Sequence, residues 1–282
     1  MPLILQPVEA ARGLRWVRDG FSLFARQPLA FSTLFALFLF ATVLTALVPL
    51  LGLVVQMGGL PLISLGFMVA SQAALMGQRV TPLHFIEPLR ADPARRRSLL
   101  VLCAAYATGG IVLLLGADLM SNQALDRMRE AAASGQDAQV IANILNEPQV
   151  GTAALVFGGG WLVLSILFWH APALVHWGGQ GVGQALFSST VAVWRSKGAF
   201  ALYGVAWGVL MLGLSFVLVF VMQLFGLLAL APVFATPLGL FLSTVFYVSL
   251  LFTFNDSFGG SAPAAPAGDL PAGPPVDPPP AA

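Results

Sequence analysis

Two patterns of apolar residues divide this chain. The first is a helical stripe near the start. Ala10, Leu14, Val17, Phe21 and Phe24 recur at alternating steps of four and three, which is one face of a 3.6-residue helix. Arg12, Arg15, Asp19, Ser22 and Arg26 recur at the same steps on the other side, and Arg18 widens that charged face. The second pattern is continuous. Uncharged apolar runs cover 29–51, 53–76, 98–117, 151–176, 199–225 and 237–254. A hydrocarbon layer about 30 Å thick takes about 20 helical residues, so each run predicts a membrane-spanning helix. The head, 9–26, predicts an amphipathic helix in the membrane plane, its arginines near anionic lipid and Trp16 and Phe31 at headgroup level. A helix that packs its apolar face on protein is the alternative.

The connections follow from glycine, proline and charge. Pro49 and Gly52 predict a tight turn between the first two spans, and Gly58, Gly59 and Pro61 a bend early in the second. Residues 77–97 are hydrophilic. The one long loop, 118–148, carries Leu125, Met128 and Ala132 on one helical face and Val140, Ile141, Ile144 and Leu145 on another. It predicts two short helices around Gly135, serving as a connector or as a docking surface for a protein partner. A glycine-rich turn at 178–183 precedes a second interfacial helix at 184–197. Residues 226–236 are apolar and interrupted by Pro232. The tail, 259–282, is Pro, Ala and Gly with two aspartates, a composition expected to stay disordered. The fold class expected is all-α: a polytopic membrane helical bundle over 1–258, with six spans and amphipathic interfacial helices.

Composition agrees. Of 282 residues 58% are hydrophobic and 9% charged, against about 25% charged in soluble domains. No charge lies in 27–78, 98–117, 148–194 or 198–255. The net charge of +1 argues for no nucleic-acid partner. Its distribution carries more. Of 13 basic residues all but Arg127 and Arg129 fall in the head, 77–97 and 178–197, which six spans place on one side. The positive-inside rule then puts the amino terminus in the cytoplasm of a bacterial cell, and an even number of spans returns the carboxyl terminus there. The loop 118–148, with five carboxylates, faces out. No cleavable signal peptide is read in Met1–Gln6, so the first span is expected to direct insertion.

A short parallel links the halves. Arg26 and Ala30-Phe31 before the first span match Arg195 and Ala199-Phe200 before the fifth, and Pro61-Leu62 and Pro237-Leu238 occupy similar places in the returning spans. A duplication and chance both account for it. The run Gly-Leu-Arg-Trp-Val-Arg-Asp-Gly-Phe-Ser-Leu-Phe-Ala-Arg-Gln-Pro over 13–28, then a span closing on Val48-Pro-Leu-Leu-Gly52, resembles a group of uncharacterised bacterial multi-pass inner-membrane proteins. It is also distantly similar to the membrane domain of some glycerophosphodiester phosphodiesterases. The resemblance implies an inner-membrane helical bundle with no assigned activity and transfers no catalytic residue, because the phosphodiesterase barrel and its metal ligands are absent.

Candidate chemistry is sparse. His170 and His176 are six apart and so point about 240° apart on a helix. A three-histidine site with His84 lacks supporting ligands, and His170, His176, Trp169 and Trp177 read more simply as an interfacial belt. Cys103, the single cysteine, reads as a buried apolar residue. The zinc-helix, Walker and nucleophile-elbow signatures are missing, and no catalytic, cofactor or metal residue is assigned. Gly204 and Gly208 form a small-xxx-small step. Arg12, Arg15, Arg18, Arg26, Arg95, Arg96, Arg97, Arg195 and Lys197 are the expected contacts to anionic headgroups at the cytoplasmic face of the phospholipid bilayer. Gln56, Gln72 and Gln223 are the candidate lining of a polar path. The expected function is non-enzymatic, organising lipid or partner proteins; the alternative is a transporter or lipid-handling channel built on Gly/Pro-broken helices.

Overall fold

Proline sets where most of the long helices begin. Pro28, Pro93, Pro148, Pro172 and Pro232 each stand in a first helical turn, where a missing N–H leaves no bond unmade. The computed structural model describes residues 3–48, 51–90 and 92–259; the predicted tail beyond 259 and the predicted turn at 49–50 lie outside them. Among the described residues the α-helices are α1 (Arg12–Phe24), α2 (Pro28–Ala46), α3 (Leu51–Leu75), α4 (Pro93–Met120), α5 (Ala124–Ala133), α6 (Ala138–Leu145), α7 (Pro148–Phe168), α8 (Ala171–Gly178), α9 (Val182–Arg195), α10 (Lys197–Leu224) and α11 (Ala231–Phe258), with no strand. Six stretches are long and apolar enough to cross a membrane: α2, α3, α4, α7 with α8, α10, and α11 with the turn before it. The protein is an all-α polytopic bundle.

α3 and α11 form its centre, joined by Ser71, whose hydroxyl donates to the Val248 carbonyl (3.4 Å). α1, α2 and α10 pack on one side of this pair. α4, α7, α8 and α9 gather on the other, α4 against α3 and α7, and α9 against α7 and α8. Trp169, Phe246 and Tyr247 touch both cores. α1 and α9, the helices that lead to the matched residues Arg26 and Arg195, occupy different surroundings: α1 packs on α10 and α11, and α9 on α7 and α8.

α1 is amphipathic, with its buried face one step round from the stripe read in the sequence. That face is Gly13, Trp16, Val17, Gly20, Leu23 and Phe24, and Leu14 is 51% exposed. The two glycines explain the shift. A Cβ on Gly13 would fall on the Ala199 carbonyl oxygen, and one on Gly20 would lie 2.6 Å from the Ser249 Cβ. Seven residues apart on one face, they let the helix sink between α10 and α11, as small residues do in membrane bundles. Arg12 meets Asp256, Gly20 meets Ser249, and Phe24 meets Phe241. α1 thus runs alongside α11, antiparallel to it. Trp16 and Phe31 are both 0% exposed, which corrects their expected place at the headgroups: they are core.

Two expected breaks close and one unexpected break opens. α3 passes through Gly58, Gly59 and Pro61 as one helix, and Ser64 Oγ donates to the Pro61 carbonyl (2.9 Å). α11 starts at Ala231, six residues before the predicted start of the last span, and passes through Pro237. In hydrocarbon no water takes up the freed carbonyl, so the rest of the ladder holds each helix around its proline. Span four, expected as one helix over 151–176, divides between α7 and α8 at Trp169–His170. Pro172 cannot donate to the Phe168 carbonyl, and the ladder stops there.

The loop 118–148 folds as α5 and α6 around Gly135, which has φ +66. Arg127 fastens it. Its Nη1 and Nη2 donate to Glu147 Oε1 (2.8 Å) and Oε2 (2.7 Å), and its Nε donates to the Asn122 carbonyl (3.1 Å). Hydrogen bonding from Arg127 lowers the Glu147 carboxyl from its ordinary value, and the same bond raises the Arg127 guanidinium.

Candidate functional site

The break in span four is repaired from another helix. α9 packs across the junction and places Ser189, fully buried, in the gap. The His170 backbone N–H donates to Ser189 Oγ (3.0 Å), and Ser189 Oγ donates to the Ile166 carbonyl (3.0 Å). These are the two groups that an unbroken helix would bond directly, so the hydroxyl is inserted into the ladder. The next turn leans on α11. Thr253 Oγ1 donates to the Leu250 carbonyl (2.8 Å), accepts from Trp169 Nε1 (3.2 Å) and lies 3.3 Å from His170 Nε2. Since the Thr253 hydrogen is committed to Leu250, these bonds assign the ring proton of His170 to Nε2. His170 is 0% exposed, which corrects its expected place in an interfacial belt.

A crevice of about 400 Å³ lies beside the break, between α4 and α7 on one side and α3 and α11 on the other. Its walls include Tyr106 of α4, Trp161 and Ser165 of α7, Trp169 at the break, and Phe246 and Tyr247 of α11. Pro61 and Ser64 of α3 complete it. Trp169 is edge-on to Phe200, Tyr203 and Phe246. No charged residue lines the crevice. A second groove of about 310 Å³, between α2 and α3, is apolar except for Thr42, Thr45 and Gln56.

The head, the 77–90 segment, the α8–α9 turn and the end of α11 meet at one end of the bundle. Gln27 accepts from the Val80 N–H and donates to the Gln78 carbonyl. Ser196 Oγ accepts from the Val8 N–H, and Gln6 N–H donates to the Ser257 carbonyl. Arg95 Nη1 donates to the His176 carbonyl (3.1 Å). Arg12 is held in a fork by Asp256, with Nε to Oδ2 at 2.7 Å and Nη2 to Oδ1 at 2.8 Å, and Trp16 Nε1 donates to the same Oδ2 (2.7 Å). Arg15, Arg18, Arg26, Arg96, Arg97, Arg195 and Lys197 are exposed there, without a carboxylate partner among the described residues.

The three glutamines do not converge. Gln56 lies in the α2–α3 groove, donating to the Thr42 carbonyl (3.3 Å). Gln72 is half-buried about 24 Å further along α3, and Gln223 is exposed at the end of α10. The histidines are also apart in role: His84 Nδ1 faces Glu87 Oε2 (3.2 Å), His170 braces the break, and the His176 carbonyl receives Arg95. Sequence reading missed Asp256, Ser189, Thr253 and the crevice hydroxyls. Pro172 was the available signal for the break, and Asp256 was the lone carboxylate closing the last span.

Six apolar spans around two packed cores, basic at one end and acid-rich at the other, define a multi-pass integral membrane protein. The chain is similar to "Probable inner membrane protein BTH_II0599" of Burkholderia thailandensis, 34% identical over 273 residues, which are 92% of this chain and 95% of the relative. It belongs to that protein's family and is a multi-pass protein of the inner membrane. No family model and no solved structure matches it, and the resemblance to glycerophosphodiester phosphodiesterase membrane domains finds no support.

Proposed function

We propose that this is a non-enzymatic protein that organises lipid at the cytoplasmic leaflet, with its amino terminus in the cytoplasm. One observation carries the reading: exposed basic groups crowd one end of the bundle, and of the arginines and lysine there only Arg12 has a carboxylate partner among the described residues. Each such group near an anionic surface is worth about 1 kcal/mol. At the opposite end both arginines are paired, Arg127 with Glu147 and Arg129 with Asp126. Arg95, Arg96 and Arg97 begin α4, where Asp92 accepts from the Ala94 N–H (3.0 Å), so their stems start from a fixed turn. The separation of Gln56, Gln72 and Gln223 favours this over the transport reading.

The test has two arms. In a Cys103→Ala background, Ser134→Cys is expected to react with an impermeant thiol reagent applied to intact cells, and Ala94→Cys only after lysis; the reverse pattern inverts the orientation. Native mass spectrometry from mixed bilayers is expected to show phosphatidylglycerol retained over phosphatidylcholine, with retention reduced by replacing Arg95, Arg96 and Arg97 with Gln. Equal retention of the two lipids by the unaltered protein would remove the headgroup role.

A further inference from the structure

The crevice beside the break has the make-up of a ligand site. We propose that it binds the head of an uncharged, lipid-soluble ring compound bearing oxygen acceptors, a quinone in chemical class. The reading is independent of the basic end, which shares no residue with it.

The location selects for neutral ligands. Tyr106 stands near the middle of α4 and Pro61 near the middle of α3, and an ion at that depth costs about 2.5–3.5 kcal/mol. No side chain in the walls offers a compensating charge. α7 packs on α4 and α9, and α11 on α1, α3 and α10, so the crevice lies between two helices that belong to different packing groups.

The walls select for a ring. Aromatic side chains stand on both sides: Tyr106, edge-on to Trp161 (6.0 Å) and Phe168 (5.0 Å), on one, and Phe246, edge-on to Tyr247 (5.7 Å), on the other. A flat head slides between such walls and meets ring faces and edges, the arrangements aromatic pairs favour. Hydroxyls complete the match. Tyr106 and Ser165 belong to one wall and Tyr247 to the other, and none of the three has a side-chain hydrogen bond among the described residues. Each hydroxyl is therefore free to donate to a bound molecule. A ring carrying carbonyl oxygens at opposite edges accepts from both walls.

Size agrees. At about 30 Å³ for each water-sized group, 400 Å³ takes about 13. That accommodates one substituted ring and leaves its tail in the bilayer.

The experiment titrates the full chain in detergent micelles with a short-chain benzoquinone, reading quenching of Trp161 and Trp169 fluorescence. Saturable quenching at one quinone per chain is expected. Tyr106→Phe and Tyr247→Phe, which remove only an oxygen, are each expected to weaken it three- to tenfold, the scale of one hydrogen bond. Ser165→Leu, which fills the crevice, is expected to abolish it. Unchanged thermal exposure of Cys103 establishes that each variant is folded, and three independent variants keep the test decisive if one is not. Linear quenching alike in all proteins reports partition into the micelle and overturns the proposal. Saturable quenching that every folded variant retains places the ligand elsewhere and overturns it too. Retention of dioleoylglycerol, with no quinone response, assigns the crevice to a glycerolipid and overturns the ring head.

Discussion

Replacing Ser189 with alanine tests the side chain that bridges the broken span. The side chain is fully buried and makes two bonds of 3.0 Å, from the His170 N–H and to the Ile166 carbonyl. Alanine leaves both groups without that partner. Each buried orphan costs about 1–3 kcal/mol, and the low average for bonds in membrane bundles, about 0.6 kcal/mol, sets the lower bound. The helix cannot close the gap by itself. The direct bond would pull His170 from Thr253 and from the rings of Phe200, Phe254 and Phe258, and Pro172 would still withhold the next donor. The expected loss is about 1–4 kcal/mol, from two bonds at the membrane average to two modest orphans. For a chain of this length that lowers the unfolding midpoint by about 2–8 °C. Cys103 provides the assay: it is buried and the only cysteine, so a thiol-activated dye reports global opening in detergent at one fixed scan rate. Ser188→Ala, on the same helix and without a side-chain hydrogen bond, is the control. A shift below about 1 °C, or one equal to that of Ser188→Ala, would refute the bridge as a structural element.

Three further outcomes test the packing. Gly13→Ala and Gly20→Ala should each cost about 1–3 kcal/mol, because backbone at Ala199 and the Ser249 Cβ cannot yield. Gly183→Ala, with open space around it, should be neutral or stabilise by up to about 1 kcal/mol; the same midpoint assay ranks the three. Asp256→Asn should loosen α1 from α11 and cost about 1 kcal/mol, since the pair is about a third and a quarter exposed (33% and 24%); faster hydrogen exchange in 12–24 with no change in 93–120 is the expected signature, and uniform exchange would contradict it. The Arg127–Glu147 fork gives a pH dependence. Because the Glu147 carboxyl is lowered in the folded loop, its contribution is complete above the ordinary carboxylate range and is lost as pH falls through the lowered value. A nitroxide on Ser134→Cys, in a Cys103→Ala background, should gain mobility on acidification below that range; Arg127→Gln should be mobile at neutral pH and insensitive, and a pH response surviving in Arg127→Gln would assign the effect to another group.

The sequence by itself determined the class of object. Uncharged runs long enough to cross hydrocarbon, with arginine stranded between them, leave few alternatives to a helical membrane bundle, because the cost of burying charge and unpaired backbone acts locally along the chain. The two short helices around Gly135 were legible for the same reason: their apolar spacing and the glycine sit within one segment. What needed the tertiary structure was every choice between equivalent apolar surroundings. Periodicity placed Trp16 on a helix but did not distinguish lipid from the groove between α10 and α11, and two glycines, through close approach, decided for protein. Prolines at 61, 172 and 237 look alike in a sequence. α3 and α11 absorb theirs, while span four yields at Pro172, where a serine 17 positions on, from a different helix, stands ready to take up the freed bonds. The crevice was illegible for a related reason: its walls come from α3, α4, α7 and α11, and a space between helices has no signature in any one of them.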